Sequence, residues 1–142
     1  MNQDLHNARQ LLTQGDHTCV ICRGQTFYTS DHRGVAPLLN WLDAGTDLRG
    51  FAAADRVIGK ATAHLYCLLG VSCVYARVMS RPALQVLEAH RIPAHWETLV
   101  DAIENRQKTG MCPMETATMH CTDSQQALAA IRETLARLQQ PS

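Results

Sequence analysis

Hydrophobic positions near the start of the chain follow first a helical and then a strand-like pattern. In residues 3–14 the apolar side chains fall on one helical stripe, which predicts an amphipathic helix that ends near Gly15. Residues 17–22 and 25–30 are rich in β-branched and aromatic side chains, and Arg23-Gly24 between them predicts the turn of a β-hairpin. The chain is therefore expected to open with one helix and two antiparallel strands.

The rest of the chain predicts alternating strands and helices. We expect strands over residues 51–58, 72–79 and 95–100, and helices over 35–42, 60–69, 82–90, near Glu104, and over 113–120. Asp123 with Gln126 resembles a capping box and opens a last helix over residues 123–139, with Leu128 and Ile131 on its apolar face. A hairpin followed by βαβ units predicts a mixed sheet covered by helices on both faces, and so the α/β class.

Length and charge narrow the classes of function. The chain has 142 residues, enough for one domain, and its 13 Lys and Arg residues balance 13 Asp and Glu residues. A neutral formal charge argues against a general binder of nucleic acids or anionic membranes. No apolar run approaches the ~18 residues of a membrane span, and the first residues lack the layout of a signal peptide. We therefore expect a single cytoplasmic domain over residues 1–142 with a small-molecule ligand and no nucleic-acid or membrane partner, while a homo-oligomer stays open.

The six cysteines are expected to be free thiols, because nothing in the sequence indicates secretion. Cys19 and Cys22 form a C-x-x-C pair, a spacing that on a helix or knuckle would suggest redox or zinc chemistry. Their neighbours predict a strand, where positions three apart point to opposite faces, so packed thiols are the favoured interpretation. Other candidates for metal or acid–base roles, without finger-like spacing, are His64, Cys67, Cys73, His95, His120 and Cys121. We expect neither a metal ion nor another cofactor.

The segment from Met111 to Glu115 is a candidate for nucleophilic chemistry. Pro113 suits the first position of a helix, which makes Cys112 the N-cap and Glu115 the third helical residue. A thiol at a helix N-terminus gains from the positive end of the helix dipole, which favours the nucleophilic thiolate. The alternative is that Glu115 closes an ordinary capping arrangement and Cys112 fills space.

Three residues near predicted strand ends are further candidates. Lys60 stands in the first turn of a predicted helix, where a positive charge is unfavourable, and such a broken rule tends to mark a functional site. The alternative for Lys60 is a solvated surface charge. Ser80 lies where a strand gives way to a helix and is either a ligand contact or a simple N-cap. Asp55 lies inside an apolar strand and needs a partner, for which Lys60 and Arg56 are the candidates.

Several of these residues together resemble a known family. The motifs that carry the resemblance are Asp55-Arg-Val-Ile-Gly-Lys60-Ala-Thr-Ala63, Val78-Met-Ser80 with Ala83-Leu84, Asn105-Arg106 and Met111-Cys-Pro-Met-Glu115. From about residue 5 to residue 135 the chain resembles a small prokaryotic family of domains of unknown function with a cytidine deaminase-like fold. This resemblance implies a three-layer α-β-α domain around a mixed sheet.

The resemblance does not extend to the zinc site of the deaminases. Zinc deaminases carry H-x-E on one helix and P-C-x-x-C at the start of the next. Here Lys60-Ala-Thr62 and Cys112-Pro-Met-Glu115 stand at these places. Without the His and the second Cys no zinc-bound hydroxide can form, so hydrolytic deamination is not expected. Other groups that resemble this fold include a formyltransferase domain and a sulfur-transfer protein, so the fold does not fix the reaction.

Three functions are open at this point. The first is a Cys-dependent enzyme or sulfur-handling protein, in which Cys112 is the nucleophile and Lys60 binds or polarises a small anionic or nucleotide-like ligand. Glu115 would then transfer protons or orient the thiol. The second is a non-catalytic binding module, whose ligand contacts would be Lys60, Ser80, Asp55 and Arg106. The third is a metal or redox sensor built from the surplus thiols.

Overall fold

The computed structural model describes residues 2–32, 34–104 and 110–139 of the chain. The elements in these residues, in chain order, are α1 (Gln3–Gln14), β1 (Cys19–Arg23), β2 (Thr26–Ser30), α2 (Ala36–Asp43), β3 (Ala52–Ile58), α3 (Lys60–Leu69), β4 (Cys73–Ser80), α4 (Arg81–Ala89), β5 (Ala94–Val100), α5 (Pro113–Thr118) and α6 (Ser124–Gln139). None of the described helices is both long enough and apolar enough to cross a membrane.

The strands form one mixed sheet in the order β2-β1-β3-β4-β5. The hairpin strand β1 pairs antiparallel with both β2 and β3, whereas β3, β4 and β5 run parallel. The parallel part arises because α3 and α4 each carry the chain back across the sheet before the next strand begins. The predicted α/β class, with a mixed sheet opened by a hairpin, is therefore confirmed.

The sheet separates a thin helical layer from a thick one. On one face the described residues place a single helix, α1, with buried Leu5, Ala8 and Leu12 against β1, β3 and β4. The other helices pack on the opposite face, where α3 lies at the centre and contacts α2, α4, α5 and α6. The wholly buried alanines of β3 keep the sheet thin at its centre, so helices on both faces can approach it closely.

The C-x-x-C pair is split between these two layers. Cys19 belongs to the core on the α3 side and Cys22 to the core on the α1 side. Strand alternation places them on opposite faces, as the sequence predicted, so the two thiols cannot form one redox or zinc pair. Both side chains are buried and free.

Three local predictions need correction. The strand β1 continues through Arg23, which pairs with Thr26, so the hairpin turn lies one residue later than predicted. The helix predicted near Glu104 is wrong at that residue, since Glu104 forms an isolated antiparallel bridge with Met111. The predicted capping box forms only in part: Asp123 accepts from the Gln126 amide at 2.7 Å, but the Gln126 side chain accepts from the amide of the residue before Asp123, at 3.0 Å.

Candidate functional site

A cavity of about 440 Å³ lies at the carboxyl end of β3, and we call it the Asp55 cavity. Its walls come from β3, from the starts of α2 and α3, and from residues around the start of α5. The polar and ionisable residues on its walls are Thr18, Cys19, His32, Asp55, Arg56, Thr62, Cys112 and Glu115. Its position, next to the carboxyl end of a parallel strand, is where open α/β sheets commonly bind ligands.

Three buried polar side chains are joined by short contacts beside the cavity, and two of them, Cys19 and Asp55, line its wall. The Tyr66 hydroxyl donates to Asp55 Oδ2 at 2.7 Å and lies 3.1 Å from Cys19 Sγ. Strand pairing sets Cys19 opposite Asp55, while α3 brings Tyr66 over both. The sequence offered Lys60 or Arg56 as the partner of Asp55, but the side chain that donates a hydrogen bond to it is Tyr66. Arg56 contributes a nearby positive charge, which partly offsets the rise that burial causes in the pKa of Asp55. A tyrosine on the buried face of a helix needs a hydrogen-bond partner for its hydroxyl, which is the signal that could have pointed to it.

Burial sets the protonation states of Cys19, Tyr66 and Asp55. It raises the pKa of Asp55 to about 6, although the hydrogen bond from Tyr66 and nearby backbone amides partly offset the effect. Burial and the neighbouring Asp55 charge raise the pKa of Cys19 and of Tyr66 well above their ordinary values. Near neutral pH the carboxyl of Asp55 is therefore mainly ionised, while the thiol and the phenol keep their protons.

Glu115 is fixed by backbone amides on both of its oxygens. Oε1 accepts a short hydrogen bond from the Lys60 amide, and Oε2 accepts from the Ile103 amide at 3.2 Å. The residue before Lys60 is Gly59, whose missing side chain makes room for the carboxylate: a Cβ there would lie 2.8 Å from Oε1. Glu115 therefore caps the N-terminus of α3 from a distant part of the chain, and neither oxygen is free of a partner for the proton transfer suggested by the sequence.

Cys112 lies on the wall of the Asp55 cavity, whereas Lys60 does not. Cys112 is the N-cap of α5, as predicted, but its half-buried thiol forms no capping bond and lines the cavity. The Lys60 ammonium instead donates to the Met119 carbonyl at 2.9 Å, at the end of α5, and Lys60 is absent from the cavity walls. A cation at a helix C-terminus is favourable, so the charge that is misplaced for α3 is well placed for α5.

Two further residues from the sequence analysis are outside the cavity or outside the described residues. Ser80 is fully buried, and its Oγ accepts from the Ala83 amide at 3.2 Å, so it is the N-cap of α4. No ligand can reach it there without opening the core, which favours the capping interpretation. Arg106 lies outside the described residues.

The histidine and cysteine candidates for a metal do not converge in the described part of the chain. Across residues 2–32, 34–104 and 110–139 no three His, Cys, Asp or Glu side chains lie close enough to hold a metal ion. His64 is buried, with Nδ1 2.9 Å from Ser124 Oγ at the start of α6. Burial and the nearby Lys60 charge lower the pKa of His64 to about 4, so it is neutral near pH 7.

Comparison with known proteins gives a family and a fold. A family model described as "TM1506: Domain of unknown function (DUF1893)" matches residues 7–135. The chain is also similar to a crystal structure of a DUF1893 family protein from Thermotoga maritima, with a TM-score of 0.84 at 20% sequence identity, covering 96% of this chain and 92% of that chain. No curated protein sequence matches the chain. Function therefore has to be argued from the site itself.

Proposed function

The chain belongs to the DUF1893 family, whose description names no activity, and we propose from the site itself that the protein binds a small organic molecule in the Asp55 cavity. One observation carries the proposal: a cavity of about 440 Å³ is lined by Cys19 and Asp55, two buried polar side chains that the Tyr66 hydroxyl contacts from behind the wall. This volume lies in the range of small-molecule sites, which combine apolar walls with a few polar groups at fixed positions. Fixed polar groups orient a ligand, and apolar walls supply most of the contact area.

The ligand proposed here differs in charge from the one suggested by the sequence. An anionic or nucleotide-like ligand was expected to bind Lys60 and Ser80, but Lys60 is engaged with Met119 and Ser80 is buried in a cap. The cavity is lined instead by two carboxyl side chains, those of Asp55 and Glu115, and by one guanidinium, that of Arg56. Like charges repel strongly in a partly buried site, so the anionic version of the binding module is not favoured.

A Cys-dependent reaction is a second candidate, favoured by the position of one thiol. Cys112 lines the cavity without a capping bond, while Cys67, the other half-buried cysteine, has its pKa raised by burial to about 11. Iodoacetamide near pH 7 should therefore modify Cys112 before the other five thiols. A peptide map in which Cys112 stays unlabelled until the protein is denatured would remove this candidate.

Two further proposals concern the relationship of the fold and the cellular compartment of the protein. The relation to the cytidine deaminase-like fold is supported by the three-layer arrangement around a mixed sheet. A reducing compartment such as the cytoplasm is supported by the six cysteines, which are all free.

Filling the cavity tests the main proposal. Thr62 is half-buried on the cavity wall, and Thr62→Trp should occupy part of the space, whereas Thr13→Trp changes an exposed residue on α1, on the other face of the sheet. A library of small organic fragments is screened by saturation-transfer NMR against the wild type and both variants. We expect fragments that bind the wild type and Thr13→Trp but not Thr62→Trp. The proposal fails if a folded Thr62→Trp protein binds the same fragments equally well, or if no fragment binds.

A further inference from the structure

Asp55 has hydrogen-bonding capacity that the described protein residues do not fill. Its side chain is 9% exposed, and Oδ2 accepts the 2.7 Å hydrogen bond from Tyr66. The other oxygen, Oδ1, accepts a long hydrogen bond of 3.4 Å from the Val57 amide. A buried carboxylate is costly unless an opposite charge or several strong donors compensate it. The carboxylate that lacks this compensation lies on the wall of a cavity that a small molecule can enter.

No basic side chain in the described residues compensates Asp55 by an ion pair. Lys60 is bound to the Met119 carbonyl, so its ammonium is directed to the end of α5. Arg56 follows Asp55 on β3 and also lines the cavity, where its charge partly offsets the burial of Asp55 without forming an ion pair with it. Glu115 places a second carboxyl on the same walls, so two carboxyls stand there against the one guanidinium of Arg56. The polar side of the cavity therefore favours a positive charge.

We propose that the ligand is an organic cation with N–H donors on an apolar body, an amidinium, guanidinium or primary ammonium compound, whose donors bind Asp55. This inference rests on the proposed function and names the chemical class of the molecule. The cation supplies the charge and the strong donor that Asp55 lacks, and Tyr66 holds the carboxylate in place from the other side. The apolar body packs on Val35, Pro37, Leu38 and Met114, which line the same cavity.

Binding of such a cation depends on pH in a defined direction. The titratable and charged groups around Asp55 are Cys19 on β1, Arg56 on β3, Tyr66 on α3, and His32, Cys112 and Glu115 on the cavity walls. Among the first three, burial keeps Cys19 and Tyr66 protonated near neutrality. Asp55, with its pKa near 6, is the acceptor that loses its charge as the medium becomes mildly acidic. Affinity should therefore be highest above pH 6 and fall as the pH drops through that value.

Three molecules of nearly the same shape test the charge preference. Benzamidine is cationic, benzamide is neutral and benzoate is anionic near pH 7.5, so their affinities separate charge from size. We expect benzamidine to bind the wild type most tightly and benzoate least, as measured by NMR titration. Asp55→Asn should weaken benzamidine about tenfold or more, since it removes a charged acceptor and leaves the shape unchanged. Asp16→Asn, at an exposed residue outside the cavity, is the matched control and should leave the affinity unchanged.

A second variant covers the case in which Asp55→Asn does not fold. Tyr66→Phe removes the donor to Oδ2, so the carboxyl should ionise at higher pH and the pH midpoint of benzamidine binding should rise. Equal binding of benzamide and benzamidine, or tighter binding of benzoate, would overturn the cation class while leaving a small-molecule site intact. Binding of library fragments in the cavity with no binding of benzamidine would overturn it as well. Failure of every fragment would instead remove the proposed function.

Discussion

In the described residues the chain passes twice directly from a parallel strand into a helix, and the N-termini of the two helices are capped in different ways. Between β4 and α4 the local sequence supplies the cap, because Ser80 accepts from the Ala83 amide three residues later. Between β3 and α3 the junction residue is Gly59, which has no side chain, and the cap comes from Glu115 on α5. At the first junction the capping residue Ser80 is fully buried, whereas the second junction lies beside an open cavity.

This difference shows how a helix cap supplied by a distant part of the chain can help to form a cavity at the helix N-terminus. A locally capped helix needs nothing from the rest of the chain, so its N-terminus can be sealed in the core. A helix capped from a distance requires another segment to approach its N-terminus, and here that segment brings Cys112 and Ile103 to the cavity together with Glu115. The glycine that omits the local cap also makes the room that the remote carboxylate occupies. The comparison therefore predicts that changes at the second junction cost more than changes at the first.

Removal of the remote cap should have the largest effect. Glu115→Ala leaves the amides of Lys60 and Ile103 without their charged acceptor, and we expect a loss of about 2–4 kcal/mol in the free energy of unfolding. Urea denaturation measures the loss, and Glu133→Ala, at an exposed residue of α6, is the control that should change little. Equal stability of these two variants would mean that Glu115 does not hold α3 and α5 together.

Addition of a methyl group at the glycine should have an intermediate effect. The Cβ of Gly59→Ala would lie 2.8 Å from Glu115 Oε1 and 3.2 Å from Ile103 Cγ1, so the carboxylate must shift from its amide partners. We expect a cost of about 1–3 kcal/mol by denaturation. Gly110→Ala, where an added Cβ meets no atom of the described residues within 4 Å, should be nearly neutral.

A double-mutant cycle then sharpens this result. In a Glu115→Ala background the added methyl at position 59 meets no carboxylate, so most of the cost of Gly59→Ala should disappear. Full additivity of the two changes would show that the carboxylate is not what opposes a side chain at this position.

The local cap should show the smallest effect. Ser80→Ala removes one hydrogen bond to the Ala83 amide, and we expect a cost of about 1 kcal/mol, within the ordinary range for an N-cap. The same denaturation experiment measures it, and ligand binding in the Asp55 cavity should be unaffected. A cost as large as that of Glu115→Ala would remove the distinction between the two junctions.

Local rules explain what the sequence could predict. The strand alternation that separates Cys19 from Cys22, the capping position of Ser80 and the N-cap position of Cys112 all depend on neighbours within a few residues. The helix α1 likewise occupies its predicted range, Gln3–Gln14, because its apolar stripe and its terminal glycine are both local signals.

Pairings between distant residues explain what the sequence could not predict. Glu115 binds an amide 55 positions away, and Lys60 binds a carbonyl 59 positions away, so no local pattern reveals either. Asp55 was recognised as needing a partner, but the choice of Tyr66 depends on how α3 crosses β3. The cavity itself results from these crossings, and so it could be expected only in outline, at the carboxyl end of a strand.

The most direct test of the account is the titration of Asp55 itself, with and without a cation in the cavity. The carboxyl carbon of Asp55 can be followed by ¹³C NMR as the pH is varied. We expect a pKa of about 6 for Asp55 in the free protein, and a clearly lower pKa in the presence of saturating benzamidine, because a bound cation favours the ionised carboxylate. A carboxyl that titrates at the ordinary value for aspartate, or whose pKa is unchanged by benzamidine, would contradict the claim that Asp55 is the polar anchor of a ligand site.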